Sequence, residues 1–64
     1  MDRYYCMFFD ANNRVLQISP VDAHSIADAR EKAVMFAPTA HRAAGYELWR
    51  RGRQVLEKQS LKPN

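Results

Sequence analysis

The stretch Gly45-Tyr46-Glu47-Leu48-Trp49-Arg50-Arg51-Gly52-Arg53-Gln54-Val55-Leu56-Glu57 decides the fold. Two strand-like segments flank Arg51-Gly52, and Gly52 can supply the positive φ that a two-residue hairpin turn requires. We therefore expect a β-hairpin with strands at 45–50 and 53–58 and three arginines at its tip. This turn predicts the cross-strand pairs Arg50–Arg53, Trp49–Gln54, Leu48–Val55, Glu47–Leu56 and Tyr46–Glu57.

Two strands are predicted before the hairpin. The apolar and aromatic run Tyr4-Tyr5-Cys6-Met7-Phe8-Phe9 is too short for a helix and favours a strand over residues 4–9. Residues 10–14 are rich in Asp and Asn, which is typical of a turn. A second strand is expected over residues 15–19, and Pro20 indicates that it lies at the edge of a sheet.

A helix is predicted over residues 25–37. Ser25 followed by Asp28 resembles a capping box, with Asp in the place where Glu or Gln is usual. Pro38 prevents the helix from continuing. The apolar residues that recur at helical spacing, and that we expect to face the sheet, are Ile26, Ala29, Ala33 and Phe36.

The order β-β-α-β-β predicts an α+β fold formed by a single domain over residues 1–64. We expect a four-stranded antiparallel sheet in the order 2-1-3-4, with the helix packed on one face. One helix cannot cover both faces of such a sheet. Trp49 and Leu56, together with one face of the first strand, are therefore expected on the uncovered face, where they form a candidate interaction surface.

The bulk composition favours a small cytoplasmic protein that is not an enzyme. Cys6 is the only cysteine, so no intramolecular disulfide can form, and the spacing of zinc ligands is missing. The apolar run near the N-terminus is too short for a signal peptide or a membrane span. His24 and His41 belong to no recognisable catalytic pattern. We expect no cofactor and no metal site.

The positive charge is concentrated at one end of the chain. Residues 1–40 contain four basic and five acidic side chains, whereas residues 41–64 contain six basic and two acidic ones. Such asymmetry can attract polyanions. The candidate contacts for an anion or a nucleic acid are Arg42, Arg50, Arg51, Arg53 and Lys58, with Trp49 as a ring on which a base could stack.

The chain resembles a group of short, uncharacterised proteobacterial proteins that end in an E-L-W-x-x-x-R-x-V hairpin. The matching hairpin residues are Glu47-Leu48-Trp49, Arg53 and Val55; the earlier matches are Asp10 with Arg14, Ser25 with Asp28, and Ala29 with Ala33. The resemblance spans most of residues 4–57. It implies a compact bacterial β-β-α-β-β protein and brings no activity with it.

Two functions remain open at this point. The first is a protein-interaction or regulatory module that acts through the Trp49 hairpin face, with a second copy or another protein as partner. For such a small domain we weigh a monomer and a homodimer equally. The alternative is a nucleic-acid-binding module that uses the arginine tip.

Overall fold

The computed structural model describes residues 1–37 and 43–61 and contains four strands and one helix in these ranges. The strands form one antiparallel sheet in the order β2-β1-β3-β4, so the predicted α+β class and strand order are confirmed. No helix in these ranges is long and apolar enough to cross a membrane. The elements are β1 (Asp2–Phe9), β2 (Val15–Ala23), α1 (Ile26–Met35), β3 (Gly45–Arg50) and β4 (Arg53–Ser60).

Strand β2 is longer than the sequence predicted. It continues through Pro20, which lies opposite Tyr5, and ends at Ala23 rather than at residue 19. The strand is at the edge of the sheet, as predicted, and an edge strand tolerates proline because it is paired on one side only. The added residues Val21 and Ala23 are both buried, so the extension enlarges the core.

Asp10 organises the turn between β1 and β2. Its carboxylate accepts hydrogen bonds from the backbone N–H groups of Asn12 (2.8 Å) and Arg14 (2.9 Å). Asn13 adopts a positive φ of 66°, a conformation that asparagine tolerates better than most residues. The Asp and Asn residues therefore form the turn for the reason that the sequence suggested.

The core lies between the helix and one face of the sheet. Strand β1 runs through the middle of the sheet and contributes Tyr4, Cys6 and Phe8, which alternate along it and are all buried. We call this side the helix-covered face. The other members of the core are Val21, Ala23, Ala29, Ala33, Tyr46 and Leu48.

The helix packs through a narrower apolar stripe than expected. Ala29 and Ala33 are fully buried, but Ile26 and Phe36, which were expected to face the sheet, are exposed. Val34 and Met35 are exposed as well. The described residues of the helix that belong to the core are the two alanines, so the apolar contact with the sheet is narrow. The helical segment itself ends at Met35, with Phe36 as its C-cap.

The hairpin register follows the prediction only near the turn. Arg51 (φ 52°) and Gly52 (φ 76°) form the turn, and Arg50–Arg53 and Trp49–Gln54 pair as expected. Beyond these pairs, the predicted partners are wrong. Strand β4 has an extra residue at each of two β-bulges, which shift the register. The observed pairs are Leu48–Leu56, Tyr46–Gln59 and Gly45–Ser60.

The side chains of Ser25 and Asp28 cap the N-terminal end of the helix. The Ser25 hydroxyl accepts a hydrogen bond from the backbone N–H of Asp28 (3.1 Å), and the Asp28 carboxylate accepts one from the backbone N–H of His24 (3.0 Å). The bond from His24 is the main cause that lowers the pKa of Asp28 below its ordinary value of 3.8. The ionised carboxylate therefore stabilises the folded state at pH values above 3.8. This stabilisation is lost as the pH falls through the lowered pKa of Asp28 in the folded protein.

We predict that Ser25→Ala lowers the free energy of unfolding by about 1 kcal/mol, because one N–H of the first helical turn loses its acceptor. Ser25→Asp should retain most of the stability, since aspartate caps helices equally well. Urea denaturation followed by circular dichroism measures both variants. An unchanged stability of Ser25→Ala would mean that the Ser25 hydroxyl does not stabilise the helix.

Candidate interaction site

The sheet face opposite the helix carries a group of apolar side chains. Cross-strand partners point to the same side of a sheet. The pairs Tyr5–Trp49 and Met7–Ile18 therefore share one face, opposite to the buried Tyr4, Cys6 and Phe8. Tyr5 is 45% exposed and Ile18 is 55% exposed. We define the open face by the residues Tyr5, Met7, Phe9, Val15, Ile18, Pro20, Glu47 and Trp49.

Trp49 is held in place on the open face by a carboxylate. Its indole Nε1–H donates a hydrogen bond of 2.8 Å to Oε1 of Glu47, and Nε2–H of Gln54 donates one of 2.9 Å to Oε2. Glu47 is only 9% exposed. Both carboxylate oxygens thus have a donor, which is the condition for burying such a group. The arrangement fixes the orientation of the indole ring.

The role of Glu47 as the acceptor that joins Trp49 and Gln54 was not predicted from the sequence. The strand alternation offered a signal, because Glu47 lies two residues from Trp49 and must share its face. Gln54 was already predicted as the cross-strand partner of Trp49. Ile18 was also missed, since an apolar residue in a strand is usually assigned to the core.

Leu56 does not lie on the open face. The prediction placed it there, opposite Glu47, but the first bulge brings it opposite Leu48 instead. Leu56 and its neighbour Val55 are half-buried and pack against the core on the helix-covered face. An extra residue in one strand changes the side to which the following residues point, and this moves Leu56 out of the candidate interaction surface.

Lys58 is separated from the arginine tip. Its ammonium lies 4.0 Å from the centre of the Phe9 ring, and it donates a hydrogen bond to Oδ1 of Asn13. Lys58 follows Arg53 by five residues along the strand, which is a distance of roughly 15 Å. Lys58 therefore covers Phe9 at the other end of the hairpin and does not join the predicted anion contacts.

The remaining predicted anion contacts meet at the hairpin turn. Arg50, Arg51 and Arg53 line a shallow concavity of about 450 Å³ together with Val55. Arg50 forms an ion pair with Asp2 (Nη2–Oδ1, 3.0 Å), and its guanidinium carbon lies 5.7 Å from the centre of the Tyr4 ring. Arg42 lies outside the described residues.

Cys6 is a core residue. The side chain is fully buried beneath the helix, and burial raises the pKa of the thiol to about 12. His24 is exposed, and His41 lies outside the described residues. Within residues 1–37 and 43–61, no three His, Cys, Asp or Glu side chains come together in a way that could hold a metal ion.

We predict that Cys6 reacts slowly with a thiol reagent in the folded protein, because its side chain is buried and burial raises the pKa of the thiol to about 12. Complete reaction is expected once the chain is denatured in urea. The measurement is the rate at which an aromatic disulfide reagent releases its absorbing thiolate, in the native and in the denatured protein. Rapid release from the native protein would show that the thiol is accessible.

We predict that Trp49→Phe lowers the free energy of unfolding by about 1–3 kcal/mol, because a buried carboxylate oxygen of Glu47 loses its donor. Adding Glu47→Met should cost less than the two single variants together, since the carboxylate that lost its donor is then gone. Chemical denaturation of the two single variants and the double variant tests this coupling. Strictly additive effects would contradict it.

Comparison with known proteins assigns neither a family nor a function to this chain. The chain matches no protein-family model, no curated protein and no solved structure at a significant level. The functional conclusions therefore depend on the open face and the arginine tip, the two surfaces described above.

Proposed function

We propose that this chain is a small non-catalytic protein-interaction module, and that it binds an apolar protein surface through the open face. The observation that carries the proposal is the exposure of Tyr5 and Ile18 beside the half-buried Met7 and Trp49 on a sheet face without a helix. A contiguous apolar patch on a small domain is characteristic of a binding surface.

The partner that the geometry favours is a second copy of the chain. The molecule measures 30 × 21 × 19 Å, so a face that spanned its two longest dimensions would have an area of at most roughly 600 Å². Two such faces together would bury at most roughly 1,200 Å², the lower end of the range for stable interfaces. A second copy would also compensate for the small core of a chain of 64 residues.

The charges on the open face favour the approach of an identical face. Arg3 and Asp22 lie opposite each other and form an ion pair (Nε–Oδ1, 3.0 Å). The carboxylate of Glu47 is covered by its two donors, and Lys58 supplies a cation above Phe9. Two cations and two carboxylates thus balance one another, so two copies would meet without strong like-charge repulsion.

The nucleic-acid alternative has less support. If Trp49 were to stack a base while the arginine tip binds phosphates, the two would have to act together, but they point to opposite faces of the sheet. A cytoplasmic location remains part of our proposal, because Cys6 is a free, buried thiol of the kind common in reducing compartments.

We predict that the protein sediments as a dimer and that Ile18→Lys converts it to a monomer, because a lysine would be buried in the interface. Val34→Lys is the matched control. Val34 is 56% exposed, nearly as much as Ile18, but it lies on the helix. Sedimentation velocity at a series of concentrations measures all three proteins, and Val34→Lys should remain a dimer.

Two results would contradict the proposal of self-association. One is a wild-type protein that stays monomeric up to millimolar concentration. The other is a dimer that Val34→Lys dissociates and Ile18→Lys does not, which would assign the interface to the helix. Circular dichroism of both variants confirms that each lysine leaves the fold intact.

A further inference from the structure

The hairpin turn brings three guanidinium groups to one end of the sheet. Arg50 and Arg53 are cross-strand partners, and Arg51 is the first residue of the turn between them. Together they line the concavity of about 450 Å³, whose remaining wall is the half-buried Val55. This surface is not part of the open face, because Trp49 and Gln54, the neighbouring pair, point to the opposite side.

The positive charge at this tip is only partly compensated. Like charges directly opposite each other in a sheet are destabilising. Asp2 pairs with Arg50 and offsets one of the three charges. Within the part of the chain that the structure describes, no carboxylate forms an ion pair with Arg51 or Arg53. The tip therefore presents two guanidinium groups that lack an anionic partner in these ranges.

Arginine side chains are well suited to binding phosphate groups. Each guanidinium is a planar fork of donors that can bind two oxygens of one phosphate. Arg50 is already oriented by Asp2 and by the Tyr4 ring, so less of its freedom is lost on binding. Among the described residues, those that line the concavity are the three arginines and Val55.

We propose that the Arg50–Arg51–Arg53 concavity is a binding site for consecutive phosphate groups, as carried by a polyphosphate chain or by a nucleic-acid backbone. Recognition depends on the phosphates and not on bases, because Trp49 projects from the other face of the sheet. The site is distinct from the interface on the open face, so a dimer would bind one ligand at each tip.

The test is an NMR titration of the ¹⁵N-labelled protein at low salt with tripolyphosphate and, separately, with a single-stranded oligothymidine. We expect the backbone amides of residues 50–53 to shift with both ligands and the shifts to disappear when salt is added. Similar affinity for the two ligands would identify the phosphate chain itself as the recognised feature. Much tighter binding of the oligonucleotide would identify a nucleic acid as its source.

The decisive variant is Arg51→Asn with Arg53→Gln. Asparagine is chosen at position 51 because it tolerates the positive φ of the turn. The matched control is Arg14→Asn with Arg30→Gln, which also removes two positive charges. Arg14 lies in the turn between β1 and β2, Arg30 lies on the helix, and both are exposed. We expect the tip variant to lose at least about tenfold in affinity and the control to change by about twofold or less.

Two outcomes would contradict the proposal of a phosphate-binding site at the hairpin tip. If neither ligand shifts residues 50–53, the tip binds no phosphate. If the control variant weakens binding as much as the tip variant does, net charge alone explains the attraction. The proton–nitrogen spectrum of each variant reports on folding, so a loss of affinity can be separated from a loss of structure.

Discussion

The constraint behind this structure is that one helix of ten residues has to cover a sheet of four strands. The helix meets this demand on one side only, and it does so through two alanines. Most of the buried volume therefore comes from the sheet itself, above all from alternate residues of the central strand β1. The opposite face stays without a helix, and its apolar side chains are the main reason to expect a partner.

The two surfaces of interest follow from strand alternation in one hairpin. Trp49 and Arg50 are neighbours in the sequence but point to opposite sides of the sheet. The nucleic-acid alternative drawn from the sequence combined the aromatic ring with the arginines on one surface. The structure divides it into an aromatic face centred on the Trp49–Glu47–Gln54 hydrogen bonds and a cationic tip beyond the core.

The sequence predicted the fold well because its signals were local and consistent. The aromatic run of β1, the Asp–Asn turn, the Ser25 cap and the Arg51–Gly52 turn each have a physical reason and appear where expected. In the hairpin, Leu56 was assigned to the wrong face of the sheet. A bulge depends on packing between strands and has no strong signature in the chain, so every pair beyond it was assigned to the wrong partner.

The two edges of the sheet share a property that limits how this protein can assemble. Strand β2 contains Pro20, which lacks the N–H that a further strand would need, and strand β4 is interrupted by two bulges. Both features discourage the addition of another strand, the route by which exposed edges lead to aggregates. Both edge strands are therefore poor templates for pairing with a further strand, while one face of the sheet has no helix packed on it in the described residues. Copies of this chain can therefore meet face to face without growing into a continuous sheet.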